Sequence, residues 1–152
     1  MKVEYINPFV RSASEVLERE LGWVVEQGAP FVHRSAYTPD EVTILLTVEG
    51  AVRGFALYSC SERTACRIAE ALLGQEIHEF DELARSGIAD LGEFLTTTAG
   101  VYLAEAGFQT TISSPTLLVG AGTLISSSEV ARLVVPLTCI SGVLEVHLVL
   151  DG

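Results

Sequence analysis

Lysine is nearly absent from this chain. One lysine and eight arginines face 20 acidic residues, a formal net charge of −11, so a nucleic-acid backbone would be repelled and no nucleic-acid partner is expected. A basic protein surface or a metal ion is the better complement. Long apolar runs are also missing. Mean hydropathy is +0.41, yet no run approaches the roughly 20 residues of a membrane span, and no membrane association is expected. The opening MKVEYINPF lacks the basic region and apolar stretch of a secretory signal, which makes a cytoplasmic location the expectation. Three cysteines are an odd number without metal-type spacing. Cys60, Cys66 and Cys139 sit in apolar segments and read as buried free thiols, neither disulfides nor a zinc site. Gly120, Gly122 and the serines after them lack the lysine and spacing of a phosphate loop.

What is present is enough for one core. With 152 residues, 49% of them hydrophobic, the chain suits a single domain spanning 1–152. Its most informative stretch is Glu79 to Gly107, read as one helix. At roughly 100° per residue, Ala84, Ile88, Leu91, Leu95, Ala99 and Tyr102 fall on one side, the pattern of a helix lying on a core. Glu82, Ser86, Asp90, Glu93 and Thr97 fall on the other, each three or four residues from the next. Like charges at such spacing cost a helix roughly 0.2–0.5 kcal/mol, and the only cation within the stretch is Arg85, at the stripe's edge. The acids therefore call for a partner outside the chain.

The remaining segments are punctuated by their caps. Asn7 as N-cap, Pro8 in the first turn and Gly22 past the end bracket an opening helix. After a segment holding Trp23, Pro30 and His33, Val42–Val48 and Ala51–Ser59 read as strands around a turn at Glu49 and Gly50. Ser61 caps a second helix that stops at Gly74. Strand patterns return after Gly107 and end in an alternating run from Val143 to Leu150, where His147 reads as a sheet-face residue. Pro136 cannot donate to a ladder, which points to an edge or a bulge there. Gly120–Ser128 reads as a flexible loop. The order is helix, three strands, two helices, three strands: an α+β fold with helices packed on an antiparallel sheet, and a hint of internal duplication.

These elements and the polar stripe together resemble the CheX and CheC family of chemotaxis phosphatases. The resemblance is carried by the helix end Glu20, Leu21, Gly22, by GAVRGFALYSCSERTACRIAEALLG, and by DELARSGIADLGE from Asp81 to Glu93. The family motif is an Asp or Ser, three residues, Glu, two residues, Asn, and a Pro some twenty-odd residues on. Ser86, Asp90, Glu93 and Pro115 stand at these positions. Asp90 replaces the family's Glu and Glu93 its Asn.

The resemblance implies removal of the phosphoryl group from the aspartyl phosphate of a CheY-like response regulator. In the family the acid pairs with a lysine of the regulator, and the Asn amide holds the attacking water beside the regulator's Mg²⁺. That ion would be supplied by the regulator and not by a site of this chain. The implied partner surface is Ser86, Asp90, Glu93, Thr97 and Pro115, and a homodimer is also implied. An ionised carboxylate only accepts hydrogen bonds, so Glu93 cannot repeat all that an amide does; it could instead ligate the metal or act as base. Glu93 followed three residues on by Thr96 also looks like the phosphatase motif in the dimerisation helices of some histidine kinases, with the Thr96 hydroxyl orienting water. The alternative function is a receiver-binding or dimeric interaction module that has lost the chemistry.

Overall fold

Three amphipathic helices need one apolar surface, and the alternating strands supply it. A computed structural model describing residues 1–152 gives α1 (Val3–Leu21), β1 (Glu26–Gln27), β2 (Phe31–Ser35), β3 (Val42–Gly50), β4 (Arg53–Cys60), α2 (Glu62–Leu73), α3 (Glu82–Glu105), β5 (Thr110–Ile112), β6 (Thr116–Val119), β7 (Val130–Cys139) and β8 (Gly142–Asp151). The α+β class holds, but each run of strands has four members and not three. The strands form one antiparallel sheet, β1-β7-β8-β4-β3-β5, with β2 also on β7 and β6 also on β3.

The sheet reads alike from both edges. Short β1 and β2 lie along β7, short β5 and β6 lie along β3, and the hairpins β3–β4 and β7–β8 meet at β4–β8. Each half, a helix followed by two short strands and a long hairpin, thus lends its short strands to the other. The expected internal duplication takes this exchanged form, with α2 inserted between the halves.

One core joins sheet and helices. Phe9, Ala13, Val16 and Leu17 of α1, Ile68 of α2 and Leu91, Leu95 and Leu103 of α3 pack against Ile44, Leu46, Tyr58, Val146 and Leu148. Each fully buried Leu or Ile is worth roughly 1.5–3 kcal/mol. The opposite face is also closed: Leu57, His147 and Val134, one cross-strand row, are at most 2% exposed. Arg132 on that face donates to the carbonyls of Ser35 and Tyr37. Thr38 N–H donates to Thr123 O over 2.8 Å, and Tyr37 bridges Leu124. The stretch Gly120–Ser128 is therefore tied to the segment after β2 and is no free loop. His147 is on the sheet face as expected, bonded through Nε2 to Glu145 at 3.1 Å, and burial pushes its pKa below the usual histidine value.

Several boundaries differ from the expectation. The helix α1 begins at Val3, with Lys2 and not Asn7 at the N-cap, and Pro8 lies inside it. Tyr5 explains the extension: it packs edge-on against Phe108 at 5.3 Å, which offsets the bond that Pro8 cannot make. β3 runs through Gly50, so the turn is Ala51–Val52. β7 is not an edge; Pro136 faces the gap between β1 and β2, where its carbonyl accepts from Gly28 N–H at 2.8 Å. Cys60 and Cys66 are buried free thiols, but Cys139 is half-exposed with Sγ 3.3 Å from Gly142 O. The caps Ser61 and Gly74 are as expected, Ser61 Oγ accepting from Thr64 N–H at 3.1 Å.

Candidate active site on the long helix

Asp81 starts α3 by accepting from Ala84 N–H at 3.0 Å, which places Glu82 in the first turn, where the helix dipole favours an acid. From there the two sides separate as the periodicity requires. Ala84, Ile88, Leu91, Leu95 and Ala99 are at most 1% exposed, while Glu82, Ser86, Asp90, Glu93 and Thr97 are all exposed. Tyr102 is half-buried at the seam with α1.

No cation of this chain answers the stripe. The ion pairs are Arg19–Glu20, His78–Glu76 and His147–Glu145, and none involves Glu82, Asp90 or Glu93. Arg85 turns from the stripe and lies over the Phe80 ring at 5.7 Å. Asp90 and Glu93, a helical turn apart, present two free carboxylates to solvent.

Pro115 joins this site by a contact that sequence spacing does not show. Gly92 is buried between Asp90 and Glu93, and a Cβ there would meet Pro115 Cβ at 3.0 Å and Cγ at 3.1 Å. The proline ring, held at the start of β6, packs on the helix backbone under the acids and fixes the height of that turn. A second close approach sets the helix's other side: a Cβ on Gly87 would lie 2.5 Å from Ala69 Cβ, so α2 and α3 meet backbone to side chain. Neither glycine was singled out from sequence. The signal was there, since a mid-helix glycine costs about 1 kcal/mol and needs a reason.

Thr96 is placed differently from the acids. It is half-buried, and its hydroxyl donates to Gly92 O at 2.8 Å. Its proton is thus committed to the backbone, leaving lone pairs that can accept from water but no proton to give a phosphoryl oxygen. No group of three or more His, Cys, Asp or Glu side chains is arranged to hold a metal, and no helix is long and apolar enough to cross a membrane.

Residues 42–138 match the model of the family "Chemotaxis phosphatase CheX". The chain belongs to that family. It is 28% identical over 128 residues to CheY-P phosphatase CheX of Thermotoga maritima, covering 84% of this chain and 83% of that one. Among solved structures, a CheC-like superfamily protein from Shewanella sp. PV-4 matches with TM-score 0.86 and 22% identity over all of both chains. A CheX–CheY–BeF3–Mg²⁺ complex from Borrelia burgdorferi matches with TM-score 0.80 and 24% identity, covering 99% of this chain and 100% of that one. Similarity at this level carries the fold; the site rests on the residues just described.

Proposed function

We propose that this chain is a phosphatase of the aspartyl phosphate on a CheY-like receiver domain, acting in chemotaxis or two-component signalling in the cytoplasm. The observation that carries the reading is the unanswered acid stripe on α3, braced by Pro115 at the positions of the family motif. Asp90 pairs with a cation of the receiver and sets the helix across its phosphorylation site. Glu93, one turn on, reaches the water that attacks phosphorus. Water oxygen bonds to phosphorus, the bond to the aspartyl oxygen breaks, and inorganic phosphate leaves with the receiver's carboxylate restored. Ser86 and Thr97 extend the contact along the helix.

Mg²⁺ held by the receiver supplies charge neutralisation at the phosphoryl group. The Glu93 carboxylate, a hard oxygen ligand, is compatible with such an ion. For the rest, this chain contributes placement, which can be worth several kcal/mol of barrier when the reacting atoms are held in line.

Catalytic loss with retained docking is the second reading, favoured by the acceptor-only carboxylate of Glu93 and the committed proton of Thr96. The decisive measurement is the decay of a phosphorylated receiver domain from the same organism, with and without this protein. Faster decay supports the phosphatase; unchanged decay of a receiver that binds supports the module.

Homodimerisation is part of the proposal and has its own support. β2 pairs only with β7, so its outer edge is free, and Phe31 and Val32 on it are 46% and 67% exposed. A free edge with apolar side chains favours pairing with a second chain. A monomeric mass by light scattering at micromolar concentration would remove the dimer.

A further inference from the structure

On α2, away from the acid stripe, Arg63 and Arg67 stand four residues apart on one exposed helix face. In a chain of net charge −11 they are the only two cations so spaced, and side chains at that spacing lie about 6 Å apart. Neither enters an ion pair of this chain. Glu70, three residues on from Arg67, lines the same cleft; its Oε2 accepts from Ile77 N–H at 2.9 Å, and it forms no ion pair with either arginine.

Both guanidinium groups line a cleft of about 720 Å³ whose apolar walls include Trp23 and Ile140. Trp23 packs one side of its ring on the core, while Ile140 at the β7–β8 turn is 87% exposed. The cleft is built in advance. Thr64 of α2 donates to Ser141 O at 2.9 Å, and Gly142 at φ +130 leaves no room for a Cβ, which would fall 2.3 Å from Thr64 Oγ1. The turn carrying Ile140 is thereby pinned to the helix carrying the arginines.

We infer that this cleft is a second docking site, for an acidic peptide segment that carries one apolar side chain: two carboxylates on Arg63 and Arg67, the apolar group between Trp23 and Ile140. Charge complementarity selects the occupant. A guanidinium presents a planar fork of donors that matches a carboxylate two bonds at a time. Trp and Arg are among the residue types enriched where binding energy concentrates in an interface; Trp23 is half-buried here. An extended polyanion does not fit as well, because two cations cannot offset repulsion from the rest of so acidic a surface. The site is separate from the proposed phosphatase surface and does not depend on it.

The chain has one tryptophan, so emission excited beyond tyrosine absorption comes from Trp23, in this cleft. Short displayed peptides randomised among Asp, Glu, Lys, Leu, Phe and Ser are selected on the intact protein, and the enriched peptides are titrated against Trp23 emission. Enrichment of two or more acids around a Leu or Phe is expected, with a saturable emission shift whose affinity falls about tenfold or more in the doubly substituted Arg63→Glu, Arg67→Glu protein. Asp90→Lys should leave this binding unchanged. Both arginines are exposed, and an unchanged melting temperature verifies that the double variant is folded. Enrichment of no acidic sequence, equal affinity on the double variant, or an equal response to a single-stranded oligonucleotide would overturn the proposal.

Discussion

Helices α1 and α3 open the two matching halves of the chain and pack against each other, and the charges at the seam between them meet a different fate from those on the outer stripe of α3. On α1, Arg11 lies over the Tyr102 ring at 4.2 Å, Glu15 accepts the Tyr102 hydroxyl proton, and Arg19 reaches Glu20 at 3.8 Å and Thr98 Oγ1 at 3.4 Å. On α3, Glu82, Asp90 and Glu93 have no such partner. Charges that the chain answers itself are part of the scaffold. Charges left open, at a small cost to their own helix, are available to another molecule. The contrast makes a double claim: changes on the α3 stripe move binding or rate and spare stability, and changes at the α1 seam do the reverse.

The largest effect should come from Glu93→Asn. Beside an anionic phosphoryl group the carboxylate repels; two unit charges at 4 Å interact by about 4 kcal/mol at an effective dielectric of ~20, and each 1.36 kcal/mol is about tenfold in rate. An amide removes that repulsion and restores a donor, so receiver dephosphorylation should rise by up to ~10³, with stability changed by no more than ~0.5 kcal/mol at this exposed position. A fall in rate would instead assign Glu93 as base or metal ligand.

Next in size is Asp90→Lys. Loss of an exposed ion pair and gain of a like charge should each cost about 1 kcal/mol, which together weaken receiver binding by roughly tenfold or more. Added salt should weaken the parent and spare the variant, because only the parent loses an attraction to screening. Titration of the parent and variant against the same receiver checks both; equal affinities would move the docking surface off α3.

The α3 stripe was legible in the sequence and the α1 seam was not, for reasons that lie in range. The two sides of α3 follow from periodicity alone, a local property, and the caps Ser61 and Gly74 are equally local. The start of α1 was misplaced because Asn7-Pro8 imitates an N-cap pair, whereas burial of Tyr5 against Phe108, a hundred residues away in sequence, extends the helix past it. Strands β1 and β2 have exposed patterns with no alternation; only their pairing with β7 makes them strands. At the site, Asp90 and Glu93 could be chosen from spacing, but the packing of Pro115 on Gly92 and the bond from Thr96 to Gly92 O needed the fold.

The seam supplies the reverse test. Tyr102→Phe removes the hydroxyl that Glu15 accepts, and a bond to a charged group at a half-buried site is worth about 1–2 kcal/mol net. A lower melting temperature with unchanged receiver binding and dephosphorylation is expected. Unchanged stability with altered rate would place the α1 seam in the site and break the contrast between the helices.

Thr96→Ala should have the smallest effect. The hydroxyl lies on α3 in sequence register with Glu93, but it donates to Gly92 O, as a scaffold group does. A bond of this i to i−4 kind contributes little to helix stability, and alanine is the better helix former, so the melting temperature should move by the equivalent of no more than ~0.5 kcal/mol. The rate should change less than about twofold, because without a free proton the threonine cannot replace the amide that Glu93 displaced. Combining it with Glu93→Asn sharpens the test: if Thr96 stands outside the chemistry, the double variant keeps the whole gain of Glu93→Asn. A loss of most activity in Thr96→Ala alone, at unchanged stability, would mean that the hydroxyl leaves Gly92 for water when a receiver docks, and the boundary between scaffold and site would then pass through the half-buried flank of α3.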